Sequence, residues 1–231
     1  ETQRVMRLGK QLADAFAAAH DVGIVHRDVK PENVMLTEDA AVVAGERTKV
    51  LDFGIALVPK DALMISQQSL AHESDPGQFA GTIPYMAPEQ LDAQGYGAIS
   101  AKTDVYQLGV LLYELLSGET PFSYTGQQGY ALMMCIVQQE PKALTALRPE
   151  VPWELTQLIH RMLAKDPVQR PSMREVLSAL RQIEPSGFGS LQEVSPSRVG
   201  LELSRRSQLL LGVLCSVLAS ALVWWLWPDS Q

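Results

Sequence analysis

His-Arg-Asp-Val-Lys-Pro-Glu-Asn, at residues 26–33, is the most informative part of this sequence. Nineteen positions after Asn33 the chain reads Asp-Phe-Gly, at residues 52–54, and residues 81–89 read Gly-Thr-Ile-Pro-Tyr-Met-Ala-Pro-Glu. The shorter motifs occur by chance in many proteins when each is taken alone. The three motifs in this order and at this spacing form a highly specific pattern.

Together these motifs resemble the eukaryotic-type (Hanks-type) protein kinase family, and in particular the membrane-anchored serine/threonine kinases of bacteria. The resemblance covers about residues 1–184 and implies the C-terminal lobe of a kinase catalytic domain. The implied fold is mainly α with short β hairpins. The implied reaction transfers the γ-phosphate of ATP to Ser/Thr hydroxyls of protein substrates, with ATP and Mg²⁺ (or Mn²⁺) as cofactors.

The resemblance also implies a role for each polar residue of the first two motifs. Asp28 corresponds to the base that accepts the proton of the substrate hydroxyl, and Lys30 to the lysine that steadies the γ-phosphate. Asn33 and Asp52 correspond to the Mg²⁺ ligands, and carboxylate and amide oxygens suit this hard cation. Met35 corresponds to the apolar floor under adenine.

Further matches imply substrate preference and structural support. Lys30 and Thr82 favour serine or threonine substrates over tyrosine. Asp104 corresponds to a buried helix aspartate that accepts hydrogen bonds from the catalytic-loop backbone. Arg170 corresponds to the arginine that pairs with the glutamate of the third motif, Glu89.

Regulation is implied by Arg27, which the family uses to bind a phosphate on the activation segment between residues 52 and 89. A phosphate carries about two negative charges and can order a loop against an arginine. A homodimer that phosphorylates itself would place the phosphate there. The alternatives are a polar loop without phosphate and, for Thr82, a role in shaping the substrate pocket. The candidate phosphorylation sites are Ser66, Ser69, Ser74 and Thr82.

The four histidines are predicted to have no catalytic role. His26 is expected to be a packing residue, as its counterpart in the family is. His20, His72 and His160 have no carboxylate or cysteine at a useful spacing along the chain, so we expect ordinary surface or core histidines.

The apolar spacing predicts the main secondary-structure elements. A repeat of three or four residues from Val5 to Ala19 predicts an amphipathic helix that runs to about Asp21 and stops at Gly23. Two short β segments are expected at residues 33–36 and 48–51, the second leading into Asp52 as an apolar strand. The other predicted helices are residues 105–116, 127–139, 152–163 and 172–182.

The C-terminal part of the chain has a different composition. Residues 185–206 are polar with no sustained period and predict a linker. Leu209–Trp227 contains no charged residue, and a helix of this length spans about 28 Å. This length fits the hydrocarbon core of a bilayer and predicts a single transmembrane helix over residues 207–227, with residues 228–231 as a short tail. A buried core helix is the alternative.

The charges beside this segment predict its orientation. Arg205 and Arg206 precede it, whereas only Asp229 follows it. The positive-inside rule then places the kinase domain in the cytoplasm and the protein as a single-pass protein in the inner (plasma) membrane.

Composition excludes several other classes of protein. The chain has 231 residues, a net charge of −7 and 46% hydrophobic residues, and it has no block of Lys and Arg. Nucleic-acid binders usually present a basic face, so no nucleic-acid partner is expected. The two cysteines, Cys135 and Cys215, cannot form a disulfide framework, which fits a reducing compartment.

No Gly-rich loop or strand lysine precedes the first motif. We therefore expect a fragment that lacks the N-terminal lobe and is inactive by itself. One alternative is a pseudokinase-like membrane scaffold that transfers nothing. Another is a small integral membrane protein with a soluble binding domain, although this alternative ignores the motifs.

Overall fold

The computed structural model describes residues 1–40, 45–52, 82–123 and 129–183. The chain divides into two units, Glu1–Gly187 and Phe188–Gln231, and the second lies outside the described residues. The predicted linker, transmembrane helix and tail, at residues 185–231, all lie outside the described residues. Among the helices that the structure describes, none is long and apolar enough to cross a membrane.

The first element, α1, spans Thr2–Asp21, which confirms the helix predicted from the apolar repeat. Its buried residues recur at the three- and four-residue spacing that places side chains on one face of a helix. The chain leaves the helix through Val22 and through Gly23, whose φ of 76° is readily adopted by glycine.

Two strands follow, β1 at Val34–Glu38 and β2 at Glu46–Val50. They pair antiparallel, with Val34 opposite Val50 and Glu38 opposite Glu46. The prediction placed both strands one or two residues away from these bounds and expected an apolar strand before Asp52. That last expectation is wrong, because β2 alternates half-buried and exposed residues. This hairpin is the only sheet in the described part of the chain.

The remaining elements are helical. Three predicted helices exist with slightly shorter bounds, and the short helices were not predicted because a single turn shows no period. The helices are α2 (Pro88–Leu91), α3 (Ala93–Tyr96), α4 (Ala101–Ser117), α5 (Gly129–Gln138), α6 (Leu144–Leu147), α7 (Trp153–Met162) and α8 (Met173–Gln182). Single 3₁₀ turns lie at Pro31–Asn33, Ile83–Tyr85 and Pro167–Gln169.

Helix α4 is the central element of the core. Residues 103–113 are all buried, so this helix lacks a solvent-facing side over most of its length. It begins one turn earlier than predicted, where the Ser100 side chain accepts a hydrogen bond from the Lys102 amide and caps the helix. The predicted start was too late because the prediction was based on apolar residues and the first turn of the helix is largely polar. Gly118 ends the helix in the left-handed conformation.

A buried ion pair connects α2 to the segment before α8. Arg170 donates to both carboxylate oxygens of Glu89 at 2.7 and 2.8 Å, and both side chains are fully buried. The predicted contact is therefore present. The guanidinium also donates to three backbone carbonyls, those of Lys102, Ala164 and Lys165. All parts of the buried charge are thus hydrogen-bonded, which is the condition for such a pair to be tolerated.

Glu89→Ala is expected to lower the free energy of unfolding by about 3–5 kcal/mol, because it leaves the buried guanidinium without its counter-charge. Urea denaturation measures this change. The matched control is Asp21→Ala, which breaks the exposed pair between Asp21 and Arg174 and should cost less than about 1 kcal/mol. Equal effects of the two substitutions would contradict the prediction.

Candidate active site

The loop at residues 26–33 connects α1 to β1, and the buried carboxylate of Asp104 holds its first part. Asp104 lies in the first turn of α4 and is fully buried. Its two oxygens accept the backbone N–H groups of His26 at 2.9 Å and Arg27 at 2.8 Å. The hydrogen bonds expected between Asp104 and this loop are therefore present.

Two buried glutamines continue this support. Gln107, one helical turn after Asp104, accepts the Val29 N–H at 2.9 Å and donates to the Arg27 carbonyl at 3.1 Å. Gln90 donates to the same carbonyl at 2.8 Å and accepts from Gln107 at 3.0 Å. Neither glutamine was predicted to contact the loop. A polar side chain within an otherwise apolar buried helix was the available signal for Gln107, since such groups are almost always hydrogen-bonded.

The backbone on both sides of the site has unusual dihedral angles. Arg27 has a φ of 70° and Asp52 a φ of 54°, the two non-glycine residues of the described chain with positive φ. A side chain in this region costs about 1–3 kcal/mol and persists where the surroundings hold it. The hydrogen bonds to Asp104, Gln107 and Gln90 provide that restraint at Arg27.

His26 joins the two halves of the site. Its Nε2 lies 2.8 Å from the Leu51 carbonyl, next to Asp52, and its Nδ1 accepts the Asp28 N–H at 3.3 Å. The ring is buried and packs edge-on against Phe16, with ring centres 5.8 Å apart. His26 is therefore a packing residue, as expected, and its ring also links the Asp28 backbone to the Leu51 carbonyl.

The interpretation of His20 as an ordinary histidine is wrong. Its Nε2 lies 2.7 Å from Asp104 Oδ2, and the His20 side chain is 11% exposed. The two residues are 84 positions apart in the chain, so no local spacing could show this pairing. His160 accepts the Leu144 N–H at 3.2 Å, and His72 lies outside the described residues.

Asp28, Lys30 and Asn33 form a single hydrogen-bonded cluster. The Lys30 ammonium lies 3.0 Å from Asp28 Oδ2 and donates to Thr82 Oγ1 at 2.8 Å. The Asn33 amide donates to the same Asp28 oxygen at 3.0 Å and to the Asp28 carbonyl at 2.7 Å. Both contacts to the carboxylate fall on Oδ2. Within the described residues, Oδ1 therefore stays available to accept a proton.

The two expected metal ligands differ in their exposure to solvent. Asn33 is 8% exposed and uses its NH₂ group toward Asp28, so its carbonyl oxygen is the atom that could face a cation. Asp52 is exposed at the end of the hairpin. A magnesium ion usually keeps several waters and takes one or two protein oxygens plus substrate phosphates, and this pair fits that pattern. Among the described residues, no cluster of three or more His, Cys, Asp or Glu side chains could hold a metal by itself.

The other predicted site residues have different outcomes. Met35 is 46% exposed on β1, so it presents an apolar surface. Arg27 is exposed, and its contact with a phosphorylated residue stays a prediction because residues 53–81 lie outside the described part. The same holds for the candidate phosphorylation sites Ser66, Ser69 and Ser74. Thr82 is held by Lys30, which fits a role in shaping the site.

A tyrosine beside Thr82 was not predicted. The Tyr85 hydroxyl donates to Glu114 Oε2 at 2.6 Å. Burial and this hydrogen bond both raise the pKa of the Tyr85 phenol well above its usual value. Tyr85 is therefore neutral at physiological pH and fastens the 3₁₀ turn at Ile83–Tyr85 to α4.

Comparison with known proteins agrees with this geometry. Residues 1–180 match the model of the protein kinase domain. The chain belongs to the protein kinase domain family. The fold of the described residues is kinase-like, mostly helical with a short two-stranded sheet. Asp28, Lys30, Asn33 and Thr82, from the first and third motifs, are joined there by hydrogen bonds and an ion pair.

Several bacterial relatives carry this domain. A probable serine/threonine-protein kinase of Streptomyces coelicolor is 36% identical over 73% of this chain. Serine/threonine-protein kinase A of Synechocystis is 32% identical over 80%, and serine/threonine-protein kinase PrkC of Bacillus subtilis 32% over 77%. The matches cover 22%, 34% and 24% of these three relatives, so the chain spans at most about a third of their length.

His20→Leu is expected to lower the free energy of unfolding by about 1–3 kcal/mol, since it removes a hydrogen bond to a buried carboxylate. The His26 and Arg27 amides, which share this carboxylate, should exchange hydrogen faster in the variant. Native-state hydrogen exchange of these two amides tests the prediction. His20→Gln, whose amide can donate to Asp104, should restore part of the protection. Unchanged exchange in His20→Leu would show that the histidine does not position the loop.

Proposed function

We propose that the protein containing this domain is a serine/threonine protein kinase that transfers the γ-phosphate of ATP to hydroxyl groups of protein substrates. The observation that carries the proposal is which oxygen of the Asp28 carboxylate is contacted by neighbouring side chains. Lys30 and Asn33 both contact Oδ2, so the carboxylate is fixed while Oδ1 stays open to a substrate hydroxyl. The side chain is 20% exposed, so it is accessible and only partly desolvated.

The residues of the cluster have separate tasks in this proposal. Asp28 accepts the proton of the attacking hydroxyl as the bond from its oxygen to phosphorus forms. Lys30 lies between Asp28 and Thr82 and can donate to a phosphate oxygen there. Asn33 and Asp52 would supply oxygen ligands to magnesium. ATP with Mg²⁺ supplies the phosphoryl group and neutralises the charge that develops on it.

The Lys30–Thr82 contact supports Ser/Thr rather than Tyr specificity. It brings the hydroxyl of the third motif to the lysine of the first at 2.8 Å, which links the activation-segment end to the catalytic loop. The serine/threonine kinase names of the bacterial relatives point the same way. Autophosphorylation within a homodimer, on Ser66, Ser69, Ser74 or Thr82, stays an expectation.

In the full-length protein, Asp28→Asn is expected to lower kcat for phosphate transfer by ~10²-fold or more, because the amide cannot accept the proton. The measurement is phosphate incorporation into a serine-containing protein substrate at saturating ATP and Mg²⁺. Asp14→Asn is the control, since Asp14 is exposed on α1, and it should leave kcat unchanged.

Two results would overturn this assignment. An unchanged kcat in Asp28→Asn would remove the residue from the mechanism. A wild-type protein that binds ATP and Mg²⁺ but transfers no phosphate would instead favour the pseudokinase-like scaffold. The intact set of Asp28, Lys30, Asn33 and Asp52 argues against that alternative.

We also propose that residues 207–227 anchor the protein in the inner (plasma) membrane with the kinase domain in the cytoplasm. The support is the sequence itself: Leu209–Trp227 is uncharged, and Arg205 and Arg206 lie on its N-terminal side. A kinase held in this way would act on substrates at the membrane surface.

Deletion of Ser207–Trp227 is expected to move the protein from the membrane fraction to the soluble fraction, because the uncharged segment is removed. Ultracentrifugation of lysates followed by immunoblotting measures the distribution. Deletion of residues 187–204 is the control, since it shortens the polar linker and should leave the protein in the membrane. Persistent membrane association after the first deletion would refute the anchor.

A further inference from the structure

Gln90, in the short helix α2, connects the third motif to the catalytic loop. The residue is only 5% exposed, so its polar atoms need partners inside the protein. Its Oε1 atom accepts the Ala87 N–H at 2.9 Å and an N–H of the Gln107 amide at 3.0 Å. Its Nε2 atom donates to the Arg27 carbonyl at 2.8 Å. One side chain therefore bonds both the backbone of the third motif and the backbone of the catalytic loop.

Helix capping accounts for only one of these contacts. The bond from the Ala87 N–H to Gln90 Oε1 is one half of a capping box, and a glutamate at the same helical position makes this contact equally well. The donation from Gln90 Nε2 to the Arg27 carbonyl is not part of the cap. This second contact requires an amide, because an ionised carboxylate has no hydrogen to donate. The choice of glutamine at position 90 thus matters for the loop and not for the helix.

The atom that Gln90 holds is next to the proposed base. The Arg27 carbonyl belongs to the peptide group that precedes Asp28, and the Val29 N–H belongs to the peptide group that follows it. Gln107 accepts this N–H at 2.9 Å and also donates to the Arg27 carbonyl at 3.1 Å. Two glutamine amides therefore fix both peptide groups that flank Asp28. The direction of the Asp28 side chain depends on these two groups, and a base must lie within hydrogen-bond reach of the proton it accepts.

We propose that Gln90 is a positioning residue for phosphate transfer, because its amide N–H holds the Arg27 carbonyl and thereby orients the Asp28 carboxylate. Gln90 acts through the loop backbone and from the third motif, so it transmits the position of that motif to the base. Loss of the N–H is expected to lower kcat and to leave the KM for ATP unchanged. The effect on catalysis rests on the proposed function, whereas the hold of Gln90 on the loop does not.

Gln90→Glu in the full-length protein is the sharpest test, because it keeps the helix cap and removes the donor. An ionised carboxylate still accepts the Ala87 N–H but repels the Arg27 carbonyl. Burial favours the neutral carboxyl, whose O–H can donate to that carbonyl again. Relative to wild type at the same pH, kcat should be ~10-fold lower at about pH 8 and within ~3-fold at about pH 6. The KM for ATP should stay within ~2-fold of wild type at both pH values.

Two further variants complete the experiment. Gln11→Glu is the matched control, because Gln11 also accepts a backbone N–H, that of Thr48, and donates to a backbone carbonyl, that of Glu46. These contacts join α1 to β2, so this variant should leave kcat and its pH profile unchanged. Gln90→Met has a similar volume without polar atoms. It should lower kcat at both pH values with no recovery in acid, and it provides the test if Gln90→Glu does not fold.

Hydrogen exchange of the Val29 amide is a readout that requires no kinase activity. At about pH 8 this amide should exchange ~10-fold faster in Gln90→Glu than in wild type, because the loop is less firmly held. Exchange as slow as in wild type would overturn the proposal, and so would a kcat that is unchanged or equally reduced at both pH values. If the wild-type protein transfers no phosphate but Val29 exchanges faster in the variant, the proposed function fails and the hold of Gln90 on the loop stands.

Discussion

The arrangement of the site depends on one buried carboxylate, that of Asp104. A charge in a protein interior is tolerated only when it is paired or hydrogen-bonded. Here the two backbone amides of His26 and Arg27 and the His20 ring satisfy it. Its position in the first turn of α4 adds the favourable field of the helix N-terminus. These contacts hold the backbone of residues 26 and 27 and maintain the positive φ of Arg27. The backbone position of the next residue, Asp28, is therefore fixed.

The helices fix the position of the loop that carries Asp28, Lys30 and Asn33. Gln107 and Gln90 fasten the loop to α4 and α2, and the pair of Glu89 and Arg170 fastens α2 to the segment before α8. The His26 ring then connects the loop to the Leu51 carbonyl, next to Asp52, by a hydrogen bond. Asp28, Lys30 and Asn33 are thereby held within hydrogen-bond reach of one another by the elements that carry them.

Prediction from the sequence succeeded where the signal was local or carried by motif. The helix predicted from the apolar repeat and the helix predicted at residues 172–182 both appear in the structure, as α1 and α8. It failed where the partner is distant: His20 reaches Asp104 across 84 positions, a contact that no spacing along the chain reveals. It also missed the first turn of α4, since Lys102 and Thr103 are polar there although Thr103 is buried by the fold.

The sequence alone determined the family, the residue types of the catalytic loop and the main helices, because motifs and periodicity are properties of neighbouring residues. Only the tertiary structure decided that the Lys30 and Asn33 contacts to the Asp28 carboxylate both fall on one oxygen, and that the Lys30 ammonium meets the Thr82 hydroxyl. These features depend on which distant segments pack together. The burial and the partners of each polar group then set its charge and reactivity, and neither quantity can be read from residue order.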